Sequence, residues 1–219
     1  AGNPGECGWR DGTGNGALFS WPYGLAVESG GSLLVADSAN SRIRRVTPDG
    51  TVTTLRDAGG AEASFPGVRA VAIDATGDVY ATGGSTILRL SRDGVLEVWA
   101  GSPGCQGSVD GNGTAACFDD AVDLKFDALG RLWVVERMKA TIRRVSPSGD
   151  VTTVAGLAGV SGSTDGTGAA ARFAMPAGLA PAPDGSFLIA DSENAALRRV
   201  AASGVVTTVA GKARQSVST

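Results

Sequence analysis

The chain has 219 residues, with 19 basic and 22 acidic side chains, a net charge of −3 and no histidine. The missing histidine excludes imidazole acid–base catalysis, histidine metal ligands and a Ser-His-Asp triad within the chain. The charge balance supplies no basic face for nucleic acid, and no apolar run is long enough for a membrane span. Hydrophobic residues make up 42% and charged residues 19%, which suits a packed domain rather than a disordered one. The 33 glycines sit at turns between short apolar runs and point to an all-β fold.

Taken in chain order, the first apolar runs cover residues 23–27, 32–36, 42–46 and 51–55. Each has the length of a short strand. The turns between them read Ser29-Gly30-Gly31, Asp37-Ser38-Ala39-Asn40 and Pro48-Asp49-Gly50. Asp, Asn, Pro and Gly each favour tight turns for their own backbone reason, so the four runs are expected to form an antiparallel meander. The closing phrase returns as Leu96-Glu97-Val98-Trp99-Ala100-Gly101, Val151-Thr152-Thr153-Val154-Ala155-Gly156 and Val206-Thr207-Thr208-Val209-Ala210-Gly211. Four repeats follow, at about 1–55, 56–99, 100–154 and 155–211, with a tail at 212–219 and no linker, giving a single repetitive domain over 1–219. Leu33-Leu34-Val35-Ala36, Leu132-Trp133-Val134-Val135 and Phe187-Leu188-Ile189-Ala190 are continuously apolar, as strands buried on both faces are. Radially stacked four-stranded blades bury both faces of each sheet, so the reading is a β-propeller.

Two segments carry a family pattern. Pro22-Tyr23-Gly24-Leu25-Ala26-Val27 opens it, and residues 33–46, LLVADSANSRIRRV, carry its middle. Residues 176–180 and 188–194 repeat it. This resembles the NHL-repeat family of β-propellers. Block three departs with Glu136 at the aspartate station, and block two with Thr82 there and no long Gly-rich loop. The resemblance implies propellers that commonly have six blades, whereas four are present. Two arrangements follow: a four-bladed ring, or part of a larger propeller completed by other sequence or by self-association. Each blade is expected from contiguous chain.

The loops Asp11-Gly12-Thr13-Gly14, Asp110-Gly111-Asn112-Gly113 and Asp165-Gly166-Thr167-Gly168 lie between the last run of one block and the first of the next. Asp110, Asn112 and Asp165 are candidate ligand residues, and carboxylates with turn carbonyls suit Ca²⁺. The EF-hand spacing is missing, however, and recurrence in three blocks favours a turn role. The pairs Arg44-Arg45, Arg143-Arg144 and Arg198-Arg199 recur, with Arg89 alone in block two. One arginine of each pair is expected to face a neighbouring blade and pair with Asp37, Glu136 or Asp191, the other to be solvated. Asp123 replaces the glycine found at Gly24 and Gly178, and Arg69 precedes the equivalent Ala70. Both are off-pattern and are candidates to line a central channel. Cys105 and Cys117 bracket one Gly-rich loop and are expected to form a disulfide, while Cys7 is left over.

Together these features indicate a non-catalytic interaction scaffold in an extracytoplasmic compartment. A protein or glycan partner would dock on the loop rim around Trp9, residues 110–114 and residues 161–167. The alternative, which the fold resemblance carries, is a Ca²⁺-dependent lactonase- or lyase-like enzyme with a channel site.

Overall fold

The computed structural model describes residues 1–211. These fall into two compact units, the first Ala1–Trp99 and the second from Ala100 onward. The first unit begins with β1 (Gly12–Thr13), β2 (Pro22–Val27), β3 (Leu33–Asp37), β4 (Arg42–Val46) and β5 (Thr51–Thr54). They form one antiparallel sheet in the order β1-β5-β4-β3-β2. The last four strands are the expected meander. The turn between β4 and β5 closes with the Gly50 N–H donating to the Thr47 carbonyl at 2.8 Å, and Gly50 has φ 85°, a conformation that favours glycine.

The next strands are β6 (Val71–Ile73), β7 (Val79–Thr82), β8 (Thr86–Leu90) and β9 (Leu96–Gly101), a four-stranded sheet in chain order. Leu34, Ala36, Ile43 and Leu55 from the first sheet share one apolar cluster with Phe65, Val68, Val71, Val79, Ala81 and Leu90.

The second unit repeats the five-stranded pattern twice. β10 (Gly111–Asn112), β11 (Ala121–Phe126), β12 (Leu132–Glu136), β13 (Thr141–Val145) and β14 (Asp150–Ala155) form one sheet. β15 (Gly166–Thr167), β16 (Pro176–Pro181), β17 (Phe187–Asp191), β18 (Ala196–Val200) and β19 (Val205–Ala210) form the other. Between them lies a cluster built on Trp133, Val135, Ile142, Ala155, Phe173, Leu179, Phe187 and Ile189. Trp133 stacks on Phe187 with ring centroids 4.6 Å apart.

The fold is all-β, with every sheet built from contiguous chain, as the propeller reading expects. One element was not expected: the two-residue strand that opens three of the blocks. Gly12 pairs with Val52, Gly111 with Val151 and Gly166 with Val206, so each Gly-rich loop adds a fifth, outermost strand to its own sheet. Two glycine-bearing residues are too short and too weak in β propensity to read as a strand. Block two has no such strand, but a short loop partly replaces it. There the Ala58 N–H donates to the Gly94 carbonyl at 2.9 Å, as Gly14 does to Gly50 at 3.1 Å in block one.

Among the described residues no helix is long and apolar enough to cross a membrane. Cys105 and Cys117 form the expected disulfide, and Cys7 is free and exposed.

Candidate functional site

The loop aspartates are clamps. Asp110 sits just before β10, and its Oδ1 accepts from Arg143 Nη2 at 2.8 Å and from the Thr153 hydroxyl at 2.9 Å. Its Oδ2 accepts from the Thr153 N–H at 3.0 Å. Asp165 repeats this with Arg198 and Thr208, and Asp11 with Arg44 and Thr54. Partial burial pushes the Asp110 carboxyl up. Hydrogen bonds from the Thr153 N–H and hydroxyl and from Arg143 outweigh it and hold the group below the usual carboxylate range. The same balance lowers Asp11 and Asp165. Asn112 donates to Asp150 Oδ1 at 2.7 Å across the β10–β14 pair.

The other end of each clamp is buried. Arg143 Nη1 donates to Glu136 Oε2 at 2.8 Å, Arg44 Nη1 to Asp37 Oδ2 at 2.9 Å and Arg198 Nη1 to Asp191 Oδ2 at 2.7 Å, with these six side chains fully buried. Each guanidinium also stacks on a phenylalanine of its own block, Phe118, Phe19 or Phe173, at 5.1–5.4 Å. The price of this packing is a buried Nε in all three arginines with no hydrogen-bond partner among the described residues. Asp37, Glu136 and Asp191 are the expected partners, and the loop aspartates Asp11, Asp110 and Asp165 are second partners that were not expected. An acid–Arg–acid relay therefore staples the outermost strand to the buried strands of the same sheet.

Block two does this differently. Thr82 pairs with Ile87 as Ala36 pairs with Ile43, so in sheet register it stands one residue before the aspartate station. Its hydroxyl nevertheless accepts from the N–H groups of Arg69 and Ala70, the capping work that Asp37 does for Ser20. Leu88 lies opposite Ala81 where Arg44 lies opposite Val35, and no relay forms there. Arg89 instead pairs with Asp78 and Glu97 in a partly exposed setting.

Asp123 does not project a free carboxylate. Its Oδ1 accepts from the Leu124 N–H and from Lys125 Nζ, both at 2.8 Å, and its Oδ2 accepts from the Leu179 N–H at 2.9 Å. It ties β11 to β16. Arg69 lies in the other unit, before β6, where its carbonyl oxygen closely approaches Gly24. Within the second unit, Asp123 on β11 and Asp110 before β10 lie at opposite edges of a five-stranded sheet. Four strand spacings separate those edges, about 19 Å. Asp110 and Asp123 therefore do not converge. Each of Asp110, Asp165 and Asp123 already accepts three hydrogen bonds, which leaves one lone pair apiece and no shared set of ligands for Ca²⁺. No three His, Cys, Asp or Glu side chains among the described residues could share a metal.

Sequence reasoning missed a cleft in the first unit. About 990 Å³ opens between the two sheets, lined by Glu28, Arg45, Arg56, Asp74 and Arg92, with Leu55, Val79 and Leu90 among its apolar residues. Its origin is a matter of side-chain volume. Leu34 and Val79 occupy the register stations held in the second unit by Trp133 and Phe187, where the rings fill the space. Arg45 holds Glu28 in a two-bond fork, both at 2.8 Å. Asp74 accepts from the Thr76 hydroxyl and the N–H groups of Thr76, Gly77 and Asp78. Burial raises its carboxyl, but these bonds outweigh that and lower it. Burial also pushes the Tyr80 phenol, which donates to Asp74, up to about 12, with the Asp74 charge adding to it.

The blade pattern has a counterpart among protein families. The family model for the NHL repeat matches residues 19–46. Residues 19–46 carry an NHL repeat. Those residues run from Phe19 through the buried Asp37 and Arg44 to Val46, so the match covers the relay's core.

Several solved structures share the fold. An auxiliary nutrient binding protein from Bacteroides ovatus is 21% identical over 89% of this chain and 50% of its own, with a TM-score of 0.67. A virginiamycin B lyase from Staphylococcus aureus is 17% identical over 85% of this chain and 69% of its own, TM-score 0.53. A gluconolactonase from Xanthomonas campestris is 16% identical over 89% and 77%, TM-score 0.53. This chain thus spans half the length of the Bacteroides ovatus protein. No curated protein matches.

Proposed function

We propose that the chain is a non-catalytic binding module acting in an oxidising, extracytoplasmic compartment, and that the cleft of the first unit takes an acidic glycan. The observation that carries this is the state of the cleft's acids. Glu28 is forked by Arg45, and Asp74 takes four donors on Oδ1 and the Tyr80 hydroxyl on Oδ2. Carboxylates so held are poor bases, and Asp74, with its pKa lowered, is a poor acid. What remains for a ligand is guanidinium and hydroxyl chemistry over an apolar floor. Arg92 carries no ion pair among the described residues, and its aliphatic stem lies over Gly77. The cleft volume suits a small saccharide. The disulfide supports the compartment, and the nutrient-binding relative supports a binding role.

Titration calorimetry with acidic and neutral oligosaccharides tests this. Acidic saccharides should bind, neutral ones should not, and Arg92→Ala should weaken binding at least tenfold. Calcium-dependent hydrolysis of a sugar lactone by the purified chain would replace this reading with the enzymatic one.

A further inference from the structure

Each unit has an arginine at the same station of its first sheet, and the two side chains go to different places. Leu34 pairs with Arg45 in the β3–β4 ladder as Trp133 pairs with Arg144 in the β12–β13 ladder. Arg144 crosses to the next sheet of its unit. Its Nη1 donates to the Ala202 carbonyl at 3.2 Å, and its guanidinium lies 5.9 Å from the centre of the Trp133 ring. Arg45 lines the cleft and does not cross it. Its Nε and Nη2 turn back to the two oxygens of Glu28, just after β2 of its own sheet, both at 2.8 Å.

One methylene group separates the two outcomes. Glu28 and Asp127 hold the same station: the Glu28 N–H donates to the Ser32 carbonyl and the Asp127 N–H to the Arg131 carbonyl, each closing the turn after its strand. The shorter Asp127 uses its carboxylate locally. It accepts from the N–H groups of Leu129 and Arg131, from Arg131 Nε and from the Trp133 indole, which leaves Arg144 to the next sheet. The longer Glu28 reaches past its own turn to Arg45. The wall opposite Arg45 has the acceptor that Arg144 uses. Arg92 stands at the Ala202 station, in a turn closed by Ser91 N–H to Val95 and Gly94 N–H to Ser91, as Ala201 N–H to Val205 and Gly204 N–H to Ala201 close the other. Arg45 would find no ring there, since Leu34 stands where Trp133 does. Asp74 compensates with a carboxylate on that wall, at the station held by Ala182 in the second unit.

We propose that Glu28 is a specificity-determining residue of the cleft, a positioning group that latches Arg45 away from the opposite wall and so keeps the space open for a saccharide. The role in specificity rests on the acidic-glycan reading of the cleft; the latch rests on the paired ladders and turns alone. Arg45 has two resting places. On Glu28 it leaves the cleft open, and on the far wall it lies across the cleft as a strap, as Arg144 does in the second unit. The latch also matches the charge of Arg45. Arg56 is matched by Glu62, so Arg92 is left for the acid group of the ligand.

Glu28→Asp keeps the charge and shortens the reach, so the new carboxylate caps its own turn as Asp127 does and Arg45 is released. Calorimetry with trigalacturonate as the probe should show a loss of affinity of about tenfold or more, because the open cleft becomes the minor state. Simple charge counting expects no change. Glu28→Ala combined with Arg45→Ala removes latch and strap together, again without altering the net charge, and should bind within about threefold of the natural chain. A purely structural role for Glu28 would not be rescued in this way. Both side chains are partly exposed, and circular dichroism checks that the variants fold. Full affinity in Glu28→Asp, or no recovery in the double variant, overturns the proposal. A ligand-free crystal structure of Glu28→Asp separates the latch from the glycan. The Arg45 guanidinium should lie on the far wall, bonded to the Arg92 carbonyl or the Asp74 carboxylate; Arg45 still held by the carboxylate at position 28, or turned into solvent, overturns the latch. A natural chain that binds no acidic saccharide removes the acidic-glycan reading, and with it the role in specificity, while that crystal structure still decides the latch.

Discussion

The two units solve the same packing problem with different side chains. In the second, Trp133 and Phe187 fill the space between sheets, and Asp123 reaches across to the Leu179 N–H. In the first, Leu34 and Val79 leave a cleft, and backbones draw together instead: a Cβ on Gly24 would lie 2.5 Å from the Arg69 carbonyl oxygen and 2.8 Å from Ala70 Cα. At this station one unit is tied by a carboxylate, the other by direct backbone approach. The open space that results is what makes the first unit the better place for a ligand.

The sharpest way to break the comparison is through the relay. Arg143 and Glu136 are both fully buried, so Arg143→Ala strands a carboxylate in the interior and is expected to destabilise the chain by about 3–5 kcal/mol in urea unfolding. Arg89 of block two is 33% exposed on its side chain, and Arg89→Ala should change stability by less than about 1 kcal/mol. Equal losses would mean that the partly exposed pair does the work of the buried one.

Volume comes next. Trp133→Leu converts the second unit toward the first and should cost about 2–3 kcal/mol, since the cavity is only partly recovered by relaxation. The Trp133 indole also loses its bond to Asp127, at 3.0 Å. The mirror change, Leu34→Trp, should close the cleft and abolish saccharide binding. Binding that survives it places the ligand elsewhere.

Much of this was legible from residues alone. The four apolar runs of block one fall within one residue of β2 to β5, because alternating turn chemistry and apolar stretches are local signals. The Cys105–Cys117 bridge and the split of each arginine pair into one buried and one partly exposed member were likewise visible. The buried partners Asp37, Glu136 and Asp191 were visible too, but the relay's outer acids were not. Asp110 and Thr153 are 43 residues apart, and only the sheet register brings them together. The cleft was invisible for another reason: Leu34 and Val79 are ordinary core residues, and their deficit of volume shows only beside Trp133 and Phe187.

Backbone approach gives a smaller effect. Gly24→Ala must push the Arg69 and Ala70 backbone aside and should destabilise by about 1–3 kcal/mol. At Gly178 the nearest atom to a new Cβ is Asp123 Oδ2 at 3.7 Å, ordinary contact, so Gly178→Ala should be near neutral. If both substitutions behave alike, close approach is not what holds the first unit.

The smallest effect is electrostatic and belongs to the loop clamps. Asp11, Asp110 and Asp165 have carboxyls held below their ordinary value. The folded state therefore binds these protons less tightly than the unfolded chain does. The stability they contribute is present above the unfolded value of about 3.9 and is lost as pH falls through the lower folded values. The clamps are about half exposed on the carboxylate side, so each contributes less than about 1 kcal/mol. Urea midpoints measured from pH 6 to pH 2.5 should fall mainly below pH 4, and the Asp11→Asn, Asp110→Asn, Asp165→Asn triple variant should flatten that fall. Two clamps lie in the second unit and one in the first, because block two lacks the loop. Asp110→Asn with Asp165→Asn should therefore remove more of the acid sensitivity than Asp11→Asn does. An unchanged pH profile in the triple variant would show that the outermost strands are held by their backbone ladder and not by the carboxylates.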